Sequence, residues 1–360
     1  MTCTLGIACA TSLAANPLAA TAIFYSVILA EQDVEKEKHI ELEYQERGIF
    51  MDPVTAAFIA KLEANPPAEP PTPQEARAGL DQLQSEYQMP ANISFKDRVI
   101  PGGSTGEIPI RIYQKKGIAT PAPAVVYFHG GGFVKGGIIA HARLVSELAT
   151  CSDAVVVFVD YTLAPEGKYP LAHDQCYETL EYVYNNPDEF STTSDNISIG
   201  GDSVGGAIAA TCSLRSKYEN GPAIRSQLLF YPAVELDANA IEYGKLRNGP
   251  LLTKEALDSA WSEYFNPNDN LADPFISPVH ASIDQLEGMP PTLVITAQND
   301  VLHATGEEYA DKLIAAGVDV TASRYFGTIH DFLMLNALAD TPAAKAANAE
   351  ACFFLNDVSK

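Results

Sequence analysis

A chain of 360 residues, 47% hydrophobic and 19% charged, has material for one large core or two ordinary ones, which excludes wholesale disorder. Forty-six acidic against 23 basic side chains give a formal charge of −23, a field that repels nucleic-acid backbones and anionic bilayers, so no nucleic-acid partner is expected. Six cysteines, at 3, 9, 151, 176, 212 and 352 and without a C-x-x-C pair, predict neither a disulfide framework nor a metal finger.

From Met1 to Ala30 no side chain is charged. The length suits a membrane span. Asn16-Pro17 interrupts it, however, and no basic residue precedes Lys36, unlike a leader with a basic start. No stable membrane insertion is expected and the cytoplasm is the expected location; a genuine leader at Met1–Ala30 would instead mean secretion or anchoring. Glu31–Glu46 is densely charged and reads as a solvated helix. Met51-Asp52-Pro53 reads as a helix start, with an Asp cap and Pro in the first turn, and offers an alternative natural beginning for the chain.

Helices are predicted over 53–64 and 74–87, separated by the proline-rich 65–73. Strands follow at 96–100, 108–113, 124–128, 154–159, 196–200, 226–231, 292–297 and 320–325. Several, such as 124–128 and 154–159, are continuously apolar, as strands buried on both faces of a parallel sheet are. Helices at 139–150, 171–185, 203–218, 253–265, 304–316 and 343–354 alternate with them. The pattern predicts an α/β sandwich whose first two strands form an antiparallel hairpin. About sixty residues between Tyr231 and Thr292 exceed an ordinary connection and, with the N-terminal helices, suit a lid.

Four features fall at the ends of predicted strands. Gly201-Asp202-Ser203-Val204-Gly205-Gly206 sits between a strand and a helix, the setting of a nucleophile elbow. His129-Gly130-Gly131-Gly132-Phe133 follows the 124–128 strand, and such glycines free backbone N–H groups to meet an oxyanion. No Lys-Ser/Thr and no G-x-G-x-x-G accompany it, which weakens a nucleotide-binding reading. Of the downstream histidines, His280 lies in the insertion and His303 at a helix start, whereas His330 follows the last strand and is the expected base. Asp300 ends the 292–297 strand region and is the expected acid. Asp331 is its rival, but neighbours in sequence rarely aim both side chains at one point.

These residues together resemble the hormone-sensitive-lipase family of α/β-hydrolases, in its bacterial esterase branch. The resemblance runs from about Met51 to the C-terminus and rests on 129–133, on Asp160–Glu166, on 201–206, on Asp273–Ser277-Pro278, on Asp300 and on Ile329–Phe332. It implies an α/β-hydrolase fold, an eight-stranded, mostly parallel sheet with helices on both faces and a helical cap. It further implies Ser203 as nucleophile, His330 as base, Asp300 as acid and the amides of Gly131, Gly132 and Val204 as oxyanion hole, with Gly130 as the alternative donor. Neither cofactor nor metal is implied. The corresponding division is 1–50 an extension of uncertain role, 51–90 the first part of the cap, 91–234 the first part of the core, 235–265 the cap insertion and 266–360 the rest of the core.

The implied activity is hydrolysis of short-acyl carboxylic esters as small-molecule substrates, with lactone or amide hydrolysis, acyl transfer, or a non-catalytic ligand-binding role as alternatives. The sequence does not decide between a monomer and a homodimer. Four positions depart from the family pattern. Val204 stands where Ala is common, Thr162 where Arg is, Val301 where Pro is, and Asp331 where Gly is. An Asp beside the base favours its imidazolium.

Overall fold

Residues 33–64, 66 and 71–358 are described in the computed structural model of the chain, which divides into two compact units on either side of residue 68. The stretch Met1–Ala30, with any leader it holds, lies outside the described residues. In the first unit residues 33–46 form α1 and Pro53–Glu63 forms α2. The expected cap is present: Asp52 accepts from the amides of Val54 and Thr55, and Pro53 occupies the turn where its missing N–H has no partner to lose. Tyr44 donates to Glu63 at 2.7 Å and ties the two helices together.

The second unit opens with α3 (Pro73–Gln84), started by a reciprocal capping box between Thr72 and Glu75. Eight strands follow: β1 (Ile93–Gly102), β2 (Gly106–Lys115), β3 (Ala124–Phe128), β4 (Val155–Val159), β5 (Ile197–Asp202), β6 (Gln227–Phe230), β7 (Thr292–Asn299) and β8 (Val320–Ile329). They form one sheet in the order β1-β2-β4-β3-β5-β6-β7-β8. The β1–β2 and β2–β4 pairs are antiparallel and all the others parallel. Every residue of β3, β4, β5 and β6 is buried, which is why these strands read as unbroken apolar or small-residue runs. Helices α4 (Ala142–Cys151), α5 (Leu171–Asn185), α6 (Val204–Glu219), α7 (Lys254–Tyr264), α8 (Ile283–Leu286), α9 (His303–Ala315) and α10 (Pro342–Val358) connect the strands and complete the chain.

The topology sets the place of the site. Strand β3 is flanked by β4 on one side and β5 on the other, so the chain turns away in opposite directions there and leaves a crevice at the strand ends. The loops after β3 and β5 are the glycine loop and the Ser203 turn. Strand β8 runs to Ile329 where 325 was expected, which puts His330 directly at its end.

The cysteines form no framework among the described residues, but one pair is bonded. Cys151 at the end of α4 and Cys352 in α10 are disulfide-bonded across 201 positions. Spacing rules read neighbouring pairs, whereas this bond joins two helices brought together by the sheet. Cys176 and Cys212 are buried free thiols. No described helix is long and apolar enough to cross a membrane.

Candidate active site

Ser203 occupies the one-residue turn between β5 and α6, with φ 54° and ψ −123°. A non-glycine side chain held there is strained, and the surroundings have to enforce it. Its amide donates to Phe230 O at 2.9 Å, and its carbonyl accepts from Gly206 N and Ala233 N. A Cβ on Gly205 would strike the backbone of Phe128 and His129; one on Gly206 would sit 2.8 Å from the Pro232 Cβ. The glycines are therefore required by backbone crowding around the turn. The result stands the hydroxyl at the positive end of α6.

His330 and Asp300 complete a continuous chain of contacts to that hydroxyl. His330 Nε2 lies 2.9 Å from Ser203 Oγ, and Nδ1 lies 2.7 Å from Asp300 Oδ2. Asp300 accepts at its other oxygen from Leu302 N at 3.0 Å. The carboxylate accepts a hydrogen bond from Nδ1–H, which fixes the tautomer and leaves Nε2 to accept from the serine. All three groups are buried. Burial pulls the imidazole down, but the carboxylates of Asp300, Asp331 and Asp202 outweigh it and push His330 up to about 9. The two other candidate histidines lie elsewhere. His303 Nδ1 faces Asp300 O at 2.6 Å, and His280 Nε2 faces Glu235 at 2.7 Å.

The glycine loop arches opposite. Gly131 and Gly132 have φ of 110° and 66°, and their amides donate to no hydrogen-bond partner among the described residues. With Val204 N in the open first turn of α6, these donors are free for an anionic oxygen. Gly130 is placed more tightly, since a Cβ there would come within 3.0 Å of Ser203 Cβ and strike Asp202. His129, the first residue of the motif, is a prop. Its ring stacks on Tyr161 at 4.1 Å and Phe158 at 5.3 Å, and burial holds it down to about 3, hence neutral. Tyr161 donates to His129 O at 2.8 Å. Beneath the serine, Asp202 accepts from Tyr127 at 2.7 Å and lies 3.2 Å from His141 Nε2. Helix α7 comes over the loop, with Ala260 3.1 Å from where a Gly132 Cβ would stand, and Tyr264 stacks on Phe133 at 3.9 Å.

Three supporting residues were not identified from the sequence. Arg77 in α3 donates to Val134 O at 2.8 Å, to Ala164 O at 2.6 Å and to Glu166 at 2.6 Å, so it braces the glycine loop against the 160–166 segment. Gln84, 1% exposed, donates to Ala140 O and Met334 O and accepts from Asn336 N. Arg143 donates to Asn336 Oδ1 and Leu333 O. Gln84 and Arg143 together clamp the segment that follows His330. A polar residue at a buried helix position was the only available sign of Gln84, and the sequence pattern leaves that residue without a destination.

Asp331 corrects one expectation. With φ 62° its carboxylate turns back toward its neighbour, and Oδ1 stands 3.5 Å from His330 Nε2. The left-handed backbone at this residue defeats the assumption that adjacent side chains diverge.

The α/β-hydrolase fold family matches residues 125–334, more than half of the chain. The carboxylesterase NlhH of Mycobacterium tuberculosis is 32% identical over 274 residues, covering 76% of this chain and 85% of the relative. The carboxylic ester hydrolase LipN of the same organism is 36% identical over 260 residues, or 70% and 68% of the two chains. Among solved structures, a thermostable esterase from Pseudomonas putida superposes with a TM-score of 0.82 at 36% identity, over 86% of this chain and 98% of that one. A fold of this topology with a serine turn at the switch point defines an α/β-hydrolase. The chain belongs to that family, and its esterase relatives bear out the resemblance to the hormone-sensitive-lipase branch.

Proposed function

We propose that this α/β-hydrolase is a carboxylesterase acting on small, short-acyl esters through Ser203, His330 and Asp300. The observation that carries the reading is the unbroken contact chain Asp300–His330–Ser203, at 2.7 and 2.9 Å, in a chain whose Gly131 and Gly132 amides have no hydrogen-bond partner among the described residues. Ser203 Oγ attacks the ester carbonyl while its proton passes to His330 Nε2, and Asp300 holds the imidazole by its other nitrogen. The amides of Gly131, Gly132 and Val204 meet the charge on the carbonyl oxygen. The imidazolium then protonates the departing alcohol, and water repeats the sequence on the acyl-enzyme.

In the same reading the cap insertion, residues 235–265, lies over the crevice. The placement of Ala260 against Gly132 supports it, and a single helix of this size leaves room for a short acyl chain. A p-nitrophenyl ester series from acetate to palmitate, run with Ser203→Ala alongside, is the test. Turnover is expected to fall from the short esters upward and to vanish in the variant. A maximum at palmitate would overturn the acyl-length reading, and surviving turnover in the variant would overturn the mechanism.

A further inference from the structure

The residue after the base carries an observation that the triad leaves unexplained. Asp331 has left-handed backbone, its Oδ1 is buried without a hydrogen-bond partner, and that oxygen lies 3.5 Å from the imidazole nitrogen that faces Ser203. From the geometry we infer that Asp331 is a positioning residue, a second carboxylate that holds the proton of His330 on the Nε2 side and so sets the pH at which the base becomes available. This inference rests on the proposed mechanism.

Charge and direction decide the sign of this contact. A neutral His330 presents a lone pair at Nε2, and an ionised Asp331 presents another toward the same point, so the two repel. Once Nε2 is protonated the contact becomes attractive. Asp331 therefore favours imidazolium from the nitrogen that Asp300 does not touch. In the forward step the Ser203 O–H bond breaks, Oγ bonds the carbonyl carbon as the C=O π pair moves onto the carbonyl oxygen, and the proton arrives on Nε2 between Ser203 Oγ and Asp331 Oδ1. In the return step the carbonyl re-forms, the ester C–O bond breaks, and that proton passes to the departing alcohol oxygen. No redox partner or further reactant is needed.

The other charged and titratable groups facing the pair come from six elements. Asp300 follows β7 and Asp202 ends β5, and both add to the negative field on His330. His141 opens α4 and, with Tyr127 of β3, is paired to Asp202. Lys135 in the glycine loop lies on the side of Asp331 and favours its ionised form, against burial, which is the larger influence and raises it. Tyr231, after β6, packs its ring edge-on to His330 at 5.1 Å. None of these places an oxygen at Nε2 apart from Ser203, so the contact from Asp331 is distinct from the orienting bond at Nδ1.

The test uses Asp331→Asn, which is isosteric and keeps a residue type that tolerates positive φ, with Asp331→Gly as a second variant of equal backbone compatibility. Histidine-labelled protein is titrated by NMR in the Ser203→Ala background, with His330 assigned from its loss in His330→Gln. The imidazole of His330 is expected to titrate about one to two pH units lower in both variants. In the Ser203-containing enzyme the acid limb of kcat/KM is expected to fall by the same amount, while the rate on the alkaline plateau drops because the imidazolium has lost a partner. Unchanged titration in both variants would overturn the role of Asp331 and leave the triad standing. Hydrolysis that survives Ser203→Ala would remove the mechanism and this inference with it.

Discussion

The two halves of the site are built by different means. On the nucleophile side the geometry is imposed by backbone: Ser203 at φ 54°, glycines with no room for a Cβ, and a loop whose open amides depend on φ of 110° and 66°. On the base side the positions come from side chains. Asp300 grips Nδ1, Gln84 and Arg143 clamp the segment after His330, and Asp331 presses on Nε2. In the backbone-built half a substitution has to displace the chain itself. In the half built from side chains the loss is graded by the contact removed, large at Asp300 and small at the clamps.

Four substitutions probe that contrast, taken from the largest effect down. Asp300→Asn keeps the shape but donates toward Nδ1 and favours the wrong tautomer. A loss of about 10⁴ in kcat is expected with the melting curve nearly unchanged, read by steady-state kinetics and calorimetry. On the backbone side, Gly131→Ala asks for a strained φ and drives a Cβ at the Lys135 carbonyl. A loss of about 10²–10³ in kcat is expected, with KM little altered, since the donor acts on charge that develops only in the transition state.

Gly205→Ala should break the comparison in a different place. Its Cβ meets the Phe128 backbone in the sheet itself, so stability should fall by about 4 kcal/mol or more, visible in denaturant unfolding. Gln84→Ala is the mildest. It leaves the carbonyls of Ala140 and Met334 without a buried donor, costing about 1–3 kcal/mol, and should lower kcat several-fold. If Gln84→Ala were as damaging to turnover as Gly131→Ala, the division between the halves would not hold.

The backbone half was the more legible in sequence. Consecutive glycines after an apolar strand, and a serine between glycines at a helix start, have few structural solutions, so the sequence alone places 129–133 and 201–206 at strand ends. Asp300 and His330 were legible by order along the chain and by their position after strands. The clamps were not. Arg77, Gln84 and Arg143 reach between 56 and 252 positions along the chain to these partners, and no local pattern records such distances. Asp331 was misjudged because its backbone conformation, on which the direction of the side chain depends, is set by the loop as a whole. The disulfide escaped notice for the same reason as the clamps.

That disulfide has a practical corollary. Cys151 and Cys352 enclose Ser203, Asp300 and His330 within one covalent ring of the chain. A protease that nicks any loop inside the ring severs one strand of it and releases nothing: the fragments migrate together on a gel until a thiol is added, and Ser203, Asp300 and His330 stay tethered in a single molecule.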